Sequence, residues 1–424
     1  MADIENSVAP PASAETGRDR EVVFLTASAF LASVSFGIES AAAPFLAQDF
    51  GARSSGVGAL GAVGSVTYSG LLFVLLMYFG RVWDRHCPRR MSMTAQLYLA
   101  VGSVAFMTAG AMPMLYGVAL AKGVAAASFW PPLMAWFSAG REGSALNRRL
   151  SYFNLSWCSG LIIGPALGGE LYEIWPQLPF AAAAWCQAAG AGALWRSKPP
   201  VGTDKTPVSE TAPATGGDGV PDWKRHTFRR VALVSHFTAY LVMGLARYQF
   251  PVLATSIGIR PSVFGWVMMT LSLFMTGMFW LLGRSRGWHF RFGYLLLAQA
   301  GLVLAMLGAS RADGAAALAV VTASCGICIG FTYTSNLFYG ASGDSRRGRR
   351  MAIHEFLIGV GFGVGGLLGG LANDRFGLRT AYPLCAIAIA VGATVQIFIL
   401  AALRTRNSGS VIPASRRPEN ERPD

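Results

Sequence analysis

Three ionisable side chains fall inside long apolar segments of this sequence: Glu39, Lys122 and Arg247. A charged group near the centre of a bilayer costs at least about 2.5–3.5 kcal/mol, so each one marks a binding or coupling site by default. Counting about 1.5 Å per residue from the predicted outer helix ends puts all three roughly 10–14 Å below the outer surface. Two cations and one anion in this layer favour an acidic substrate held by Arg247 or Lys122.

The acid of this layer, Glu39, is also the candidate proton carrier, because an ionisable group inside a membrane is a typical proton relay. In the alternative arrangement, Glu39 and Lys122 form a buried structural pair and only Arg247 is free for substrate. His354 and Glu355 stand at the start of another apolar segment. We expect them to act as an anchor at the membrane interface, with a gate or coupling pair as the alternative.

Apolar segments of this length require a membrane. The chain has 424 residues, of which 53% are hydrophobic and 13% are charged, whereas soluble domains carry about 25% charged residues. A helix needs roughly 20 apolar residues to cross a bilayer core, and these runs are too long for barrel strands. The sequence therefore predicts an all-α membrane protein with twelve transmembrane helices in two six-helix bundles.

The predicted organisation is two bundles joined by a linker. The twelve spans are 22–46, 57–79, 92–111, 114–138, 151–172, 179–195, 231–256, 262–282, 292–310, 314–340, 351–373 and 380–403. The segments are a cytoplasmic N-terminal tail (1–21), an N-terminal bundle (22–195), a cytoplasmic linker (196–230), a C-terminal bundle (231–403) and a cytoplasmic C-terminal tail (404–424). The linker is polar and rich in Pro and Thr, which indicates flexibility, and the two tails are predicted to be disordered.

Basic residues predict the orientation, because cytoplasmic loops carry an excess of Lys and Arg. With the N-terminus inside, 28 of the 35 Lys and Arg residues fall in cytoplasmic segments and five fall in outside loops. This split requires an even number of spans and places both termini in the cytoplasm. Short loops and the lack of a cleavable signal suit a bacterial inner membrane.

The two halves carry matching residues in the same order. An offset of 207 pairs Gly37 with Gly244, Pro44 with Pro251 and Gly51 with Gly258. An offset of 201 aligns span 5 with span 11, including the four glycine pairs Gly160/Gly361, Gly164/Gly365, Gly168/Gly369 and Gly169/Gly370. A parallel six-plus-six repeat is the organisation of major facilitator transporters.

Two motifs carry a resemblance to that superfamily. The loop after span 2 resembles its signature G-x-x-x-D-[RK]-x-G-[RK]-[RK], with matches at Gly80, Asp84, Arg85 and Arg89 and departures at Cys87 and Pro88. In the family this loop is a cytoplasmic conformational latch. The plainer alternative is a basic loop that only fixes topology.

The second motif, in span 5, is similar to the G-x-x-x-G-P-x-x-G-G pattern of the proton-coupled antiporter branch. Its residues are Gly160, Gly164, Pro165, Gly168 and Gly169. Glycines four apart allow close helix contact, and the proline bends the helix. Generic close packing is the alternative to an antiport role.

The resemblance implies that spans 1, 4, 7 and 10 line a central cavity. It therefore adds Trp130, Tyr333 and Asn336 to the candidate substrate-binding residues Glu39, Lys122 and Arg247. The implied function is secondary transport of a small, possibly anionic organic solute by alternating access, with proton-coupled antiport or efflux as the preferred coupling. Organic-anion exchange, uniport, and a non-transporting receptor or scaffold on the same fold are the alternatives.

Other classes of function find no support in the sequence. No P-loop, nucleophile constellation or metal-ligand spacing is present, so we expect no enzyme activity, cofactor or metal. The expected partners are the substrate, a proton and the lipid bilayer, without nucleic acid, and the chain is expected to be a monomer. We expect no disulfides, and we interpret Cys325 and Cys328 as small residues on a helix face.

Overall fold

The fold is a bundle of long helices. The computed structural model describes residues 12–78, 88–138, 143–197, 220–341 and 347–408. The helices are α1 (Ala12–Asp49), α2 (Ser54–Tyr78), α3 (Pro88–Met107), α4 (Met112–Ala127), α5 (Trp130–Ser138), α6 (Gly143–Ile174), α7 (Leu178–Arg196), α8 (Asp222–Tyr248), α9 (Phe250–Ser256), α10 (Pro261–Arg284), α11 (Phe292–Ala309), α12 (Ala315–Ala341), α13 (Arg347–Phe376) and α14 (Ala381–Ser408).

Two of the predicted spans are each divided into two helical segments, so fourteen segments form twelve transmembrane helices in two six-helix bundles. The break between α4 and α5 precedes Pro131 and Pro132, and the break between α8 and α9 precedes Pro251. Proline lacks the N–H that a continuous helix would use. Within the described ranges, nine spans are long and apolar enough by length and composition to cross a membrane.

Several helices run further than the hydropathy pattern predicts. The structure has α1 starting at Ala12, inside the tail predicted as disordered, α8 starting at Asp222, inside the predicted linker, and α14 ending at Ser408. The prediction of disorder is therefore wrong for residues 12–21 and 404–408, and the prediction of a flexible linker is wrong for residues 222–230. A hydropathy window ends where lipid contact ends, whereas the backbone can stay helical beyond it. In α8, Phe228 is buried in a cluster with Trp288, which favours the helical extension.

The sequence repeat corresponds to a repeated turn. Gly51 and Gly258 both have φ of 76°, the left-handed conformation that ends many helices. The N–H of Ala52 bonds to the carbonyl of Ala47 at 3.0 Å, and the N–H of Ile259 bonds to Ala254 at 2.8 Å. Each residue of the second turn lies 207 positions after its counterpart, which agrees with the offset found in the sequence.

Glycines let the helices of each half approach closely. A methyl group on Gly164 would lie 2.7 Å from the Cα of Gly37, and one on Gly160 would meet the carbonyl of Phe30 at 2.7 Å. Gly168 packs in the same way on Ile38 in α1, while Gly169 packs on Pro261 at the start of α10. Pro165 lies inside α6, among these contacts. The span 5 motif is therefore placed at helix contacts within one half and between the halves.

One end of the bundle is closed by contacts between the halves, and the sequence predicts that this end is outside. The carboxylate of Asp374 on α13 accepts hydrogen bonds from the N–H groups of Ser54 (3.1 Å) and Ser55 (2.9 Å) at the start of α2. The carboxylate of Glu173 on α6 accepts a hydrogen bond from the N–H of Ser262 (3.2 Å) at the start of α10. We call these two contacts the outer carboxylate caps.

Most of the predicted latch loop lies outside the described residues, including Gly80, Asp84 and Arg85. Its last member, Arg89, is in the first turn of α3, where its guanidinium donates a hydrogen bond to the carbonyl of Trp195 at the end of α7. The latch role remains a prediction.

Candidate functional site

A cavity of about 440 Å³ lies between the two halves, within the range of about 300–1,000 Å³ that is usual for ligand sites. Its walls come from α1, α2, α3, α4, α5, α6, α8, α12 and α13. Much of the lining is aromatic: Phe36, Tyr68, Phe106, Trp130, Phe153, Trp157, Tyr240, Tyr248, Tyr333 and Phe362. Four charged side chains also line it: Glu39, Lys122, Arg247 and Glu355.

The first two of these charges are paired with each other. Lys122 Nζ lies 2.7 Å from Glu39 Oε1, 2.8 Å from Ser103 Oγ and 3.2 Å from the carbonyl oxygen of Leu99. An ammonium has three N–H donors, so these three acceptors saturate it. Both side chains of the ion pair are 9% exposed. The ion pair expected in the alternative arrangement is present, while the predicted roles of Glu39 and Lys122 in substrate binding and proton coupling remain predictions.

Glycine 102 makes room for this pair. A methyl group there would lie 2.5 Å from Cγ of Lys122, so the lysine stem runs directly across α3. Ser103, the next residue, donates a hydrogen bond to Glu39 at 2.5 Å. Ser103 and Lys122 therefore both donate hydrogen bonds to the Glu39 carboxylate and fix its position.

The third predicted charge, Arg247, has a different environment. Its Nε is buried and has no hydrogen-bond partner among the described residues. The guanidinium carbon lies 5.6 Å from the ring centre of Phe362, a cation–π distance. Arg247 forms no ion pair within the described part of the chain. Its role in binding a substrate remains a prediction.

A fourth charge, Glu355, was misplaced by the sequence analysis. It was expected to be an anchor at the membrane interface, but its side chain lines the cavity. The hydroxyl of Tyr68 donates a hydrogen bond to it at 3.2 Å, and among the residues that the structure describes it has no cationic partner. The apolar run begins at 351, whereas α13 begins at Arg347. Glu355 therefore lies eight residues into the helix, about 12 Å along its axis from the first residue.

The remaining predicted binding residues divide into two groups. Trp130 and Tyr333 line the cavity. The buried Asn336 instead contacts its neighbour His354, with its Nδ2 2.9 Å from His354 Nδ1. The His354 ring stacks on His236 at 4.4 Å between centroids. Asn336 therefore lies behind the cavity wall and orients a histidine there.

Outside the cavity, the outer carboxylate cap at Glu173 shows how a carboxylate is kept ionised. The Ser262 side chain and backbone donate hydrogen bonds to it, and Arg260 Nη1 lies 2.9 Å away. Together these partners lower the pKa of Glu173 from its ordinary value of 4.5.

A cavity between two six-helix halves related by a repeat is the arrangement of a known superfamily, and the sequence matches the profile of that family, the Major Facilitator Superfamily, over residues 25–342. The chain belongs to this superfamily. It is 22% identical over 234 residues to Multidrug resistance protein 1 of Bacillus subtilis, a match that covers 54% of this chain and 56% of that protein. The chain thus spans about half the length of this curated relative.

Solved structures of other transporters share the fold. A bacterial homologue of the human lysosomal transporter Spinster, inward-facing and occupied, is 13% identical, with a TM-score of 0.66 and coverage of 95% of this chain and 98% of that one. The nucleoside transporter NupG is 12% identical, with a TM-score of 0.67 and coverage of 89% and 98%. At these identities the similarity shows the fold.

Family membership indicates the general function. The chain is a multi-pass membrane protein of a superfamily of secondary transporters, whose members bind small-molecule substrates. The central cavity is the place in this fold where such a substrate binds between the halves.

Proposed function

We propose that this major facilitator protein exchanges a small, partly aromatic organic solute for protons across the cytoplasmic membrane, with Glu355 as the proton carrier. The observation that carries the proposal is the position of Glu355, which faces the cavity without a cationic partner among the described residues. An unpaired carboxylate inside a membrane is costly. Either a proton or a cationic group of the solute removes that cost, so the two compete for one site.

This assignment moves the proton role from Glu39 to Glu355. Glu39 is tied to the ammonium of Lys122 and the hydroxyl of Ser103. Glu355 has only the Tyr68 phenol as a partner, and a phenol can hydrogen-bond both a carboxylate and a carboxylic acid. Glu355 can therefore take up or release a proton without breaking an ion pair.

The aromatic lining supports the choice of solute class. Aromatic faces hold planar ligands by stacking and attract cations. The similarity to a protein named for multidrug resistance agrees with export of such solutes. The similarity to a nucleoside transporter agrees with a planar, polar solute.

The closed outer end and the basic-residue asymmetry support an orientation. We place both termini in the cytoplasm, with 28 basic residues in cytoplasmic segments and five in outside loops. The outer carboxylate caps then close the periplasmic side, and opening toward that side requires breaking both of them.

A second candidate is organic-anion exchange, and Arg247 favours it. Its unpaired guanidinium presents fixed donors that match a carboxylate or phosphate. In this mechanism Glu355 carries no proton, and a gradient of a second anion replaces the pH gradient.

The test is transport in proteoliposomes with a panel of aromatic amines, aromatic carboxylates and nucleosides. For a solute that the wild type moves, a pH gradient is expected to drive accumulation. The Glu355→Gln variant is expected to lose this accumulation but to keep solute-for-solute exchange at saturating concentration. Asp313→Asn is the matched control, because it removes an exposed carboxylate that pairs with Arg379 far from the cavity.

Full pH-driven accumulation by Glu355→Gln would rule out Glu355 as the proton carrier. Accumulation that responds to an anion gradient and ignores the pH gradient would favour the organic-anion exchanger.

A further inference from the structure

We infer that the cavity takes a dipolar solute, with an anionic group on Arg247, a cationic group on Glu355 and an apolar or aromatic body between them. This inference rests on the proposed transport function and narrows its substrate class. The sequence analysis predicted an anionic substrate, because it counted two cations and one acid in the cavity layer.

Two opposite charges in the cavity lack ionic partners among the described residues. Arg247 keeps a buried Nε without an acceptor, and Glu355 has only the hydroxyl of Tyr68. Leaving a buried charge without its partner is expensive. A ligand that supplies one charge of each sign satisfies both residues and adds no net charge to the cavity.

Both charges lie on or beside α13. Glu355 and Phe362 are seven residues apart on one helix face, so they lie about 10 Å apart along the axis. The guanidinium of Arg247 lies over the ring of Phe362, and no ion pair joins Arg247 to Glu355 among the described residues. A ligand that reaches both residues therefore needs its two charges at opposite ends.

The wall between the two charges is apolar and shaped by glycine. Ile358 and Gly359 line the cavity between Glu355 and Phe362. A methyl group on Gly359 would meet the Ser69 hydroxyl at 1.8 Å, so α13 lies directly against α2 there. Tyr240 packs on Phe362 with a centroid distance of 5.3 Å. The middle of the solute therefore contacts apolar and aromatic groups.

The other charge pair does not compete for the solute. Glu39 and Lys122 satisfy each other at 2.7 Å, and Lys122 has three acceptors. A ligand group would have to break that pair in order to use either residue. The charges that a solute can pair with are therefore those of Arg247 and Glu355.

The test uses the purified full-length chain in detergent and three matched probes. The first probe is para-(aminomethyl)phenylbutanoate, a zwitterion with its charges at opposite ends. The second is its primary amide, which keeps only the cation, and the third is its N-acetyl form, which keeps only the anion. Isothermal titration gives the dissociation constant of each probe.

The zwitterion is expected to bind about tenfold or more tightly than either singly charged form, because each of those lacks one charge-assisted contact. In Arg247→Gln the zwitterion and the amide should bind alike, while the preference over the N-acetyl form remains. In Glu355→Gln the zwitterion and the N-acetyl form should bind alike, while the preference over the amide remains. Each result is a ratio within one protein, so a general loss of affinity does not affect it.

A zwitterion that binds the wild type no better than the amide and the N-acetyl form overturns the proposal, and the absence of binding by all three counts as the same result. The wild-type comparison decides this even if a variant does not fold. If a singly charged solute from the transport panel is still driven by the pH gradient, the proposed antiport stands and only the dipolar substrate class is wrong.

Discussion

Glu173 and Asp374 occupy equivalent positions in the two halves, 201 residues apart, and each carboxylate accepts hydrogen bonds from the first turn of a helix of the opposite half. The same offset relates the glycines of α6 to those of α13. A helix N-terminus carries unsatisfied N–H groups and a partial positive charge. The same kind of contact between the halves therefore occurs twice, with the carboxylate supplied once by each half.

Removing one cap should favour the outward-open state. Asp374→Ala removes both acceptors for Ser54 and Ser55, at a cost to the closed state of about 0.5–1 kcal/mol, which is roughly a two- to fivefold change in population. A cysteine at Ala43, which lines the cavity, reports this opening through its labelling rate with an impermeant thiol reagent added outside.

The matched control for this experiment is Asp313→Ala, because it removes an exposed carboxylate that pairs with Arg379 and takes no part in the caps. Its labelling rate should stay close to that of the parent carrying only the cysteine. Equal labelling of the Asp374→Ala variant and the parent would show that this cap does not hold the outer end closed.

The second cap should respond to acid. In the closed state the pKa of Glu173 is lowered below 4.5 by Ser262 and Arg260, so its stabilisation is fully present above pH 4.5. It is lost as the outer pH falls through the lowered value. Because the thiolate is the reacting form, labelling at the Ala43 cysteine is divided by that of an exposed control cysteine at the same pH. This ratio should rise in the acidic window, and Glu173→Gln should remove this part of the rise. An unchanged pH profile in the glutamine variant would exclude Glu173 as its source.

Close packing at Gly164 should be sensitive to a single methyl group. A Cβ there would lie 2.7 Å from the Cα of Gly37 and 2.7 Å from the carbonyl oxygen of Val34, and backbone atoms cannot move aside easily. Gly164→Ala is expected to destabilise the fold by about 1–3 kcal/mol, measured as a lower melting temperature in detergent.

Gly192→Ala is the control for this substitution. It adds the same methyl group to α7, where nothing lies within 4 Å. The helical preference of alanine should make it neutral or slightly stabilising. A Gly164→Ala variant as stable as Gly192→Ala would mean that α1 and α6 can separate without cost.

The architecture could be predicted from the sequence because lipid imposes a simple rule: apolar runs of sufficient length become spanning helices. The repeat was visible because Gly51 and Gly258 are each required by the same left-handed turn. Helix ends were less predictable. The helix α8 begins at Asp222 and α14 ends at Ser408, both beyond the point where hydropathy falls. Packing outside the lipid decides how far such helices continue.

The lining of the cavity was predicted in part, for a physical reason. Arg247, Trp130 and Tyr333 were placed in it because a charge or a large aromatic residue in a cavity-lining span is itself a signal, and their role in binding stays a prediction. Glu355 was assigned to the interface because it stands at the start of an apolar run, and hydropathy does not show that its side chain lines the cavity. The pairing of Glu39 with Lys122 depends on how α1, α3 and α4 rotate against one another, and one sequence does not specify this.

The Glu39–Lys122 pair yields a last prediction, which separates a structural role from a transport role. Lys122→Met leaves the buried Glu39 carboxylate without its cation, which should cost about 3–5 kcal/mol, whereas replacing both partners should be close to neutral. We therefore expect a large drop in melting temperature for Lys122→Met and a recovery of most of it in the Glu39→Gln/Lys122→Met double variant. If the pair is structural, the double variant should also retain pH-driven transport in proteoliposomes. A double variant that is stable and binds solute, but whose transport no longer responds to the pH gradient, would identify Glu39 as the proton carrier. Glu355 would then be only the site for the cationic group of the solute.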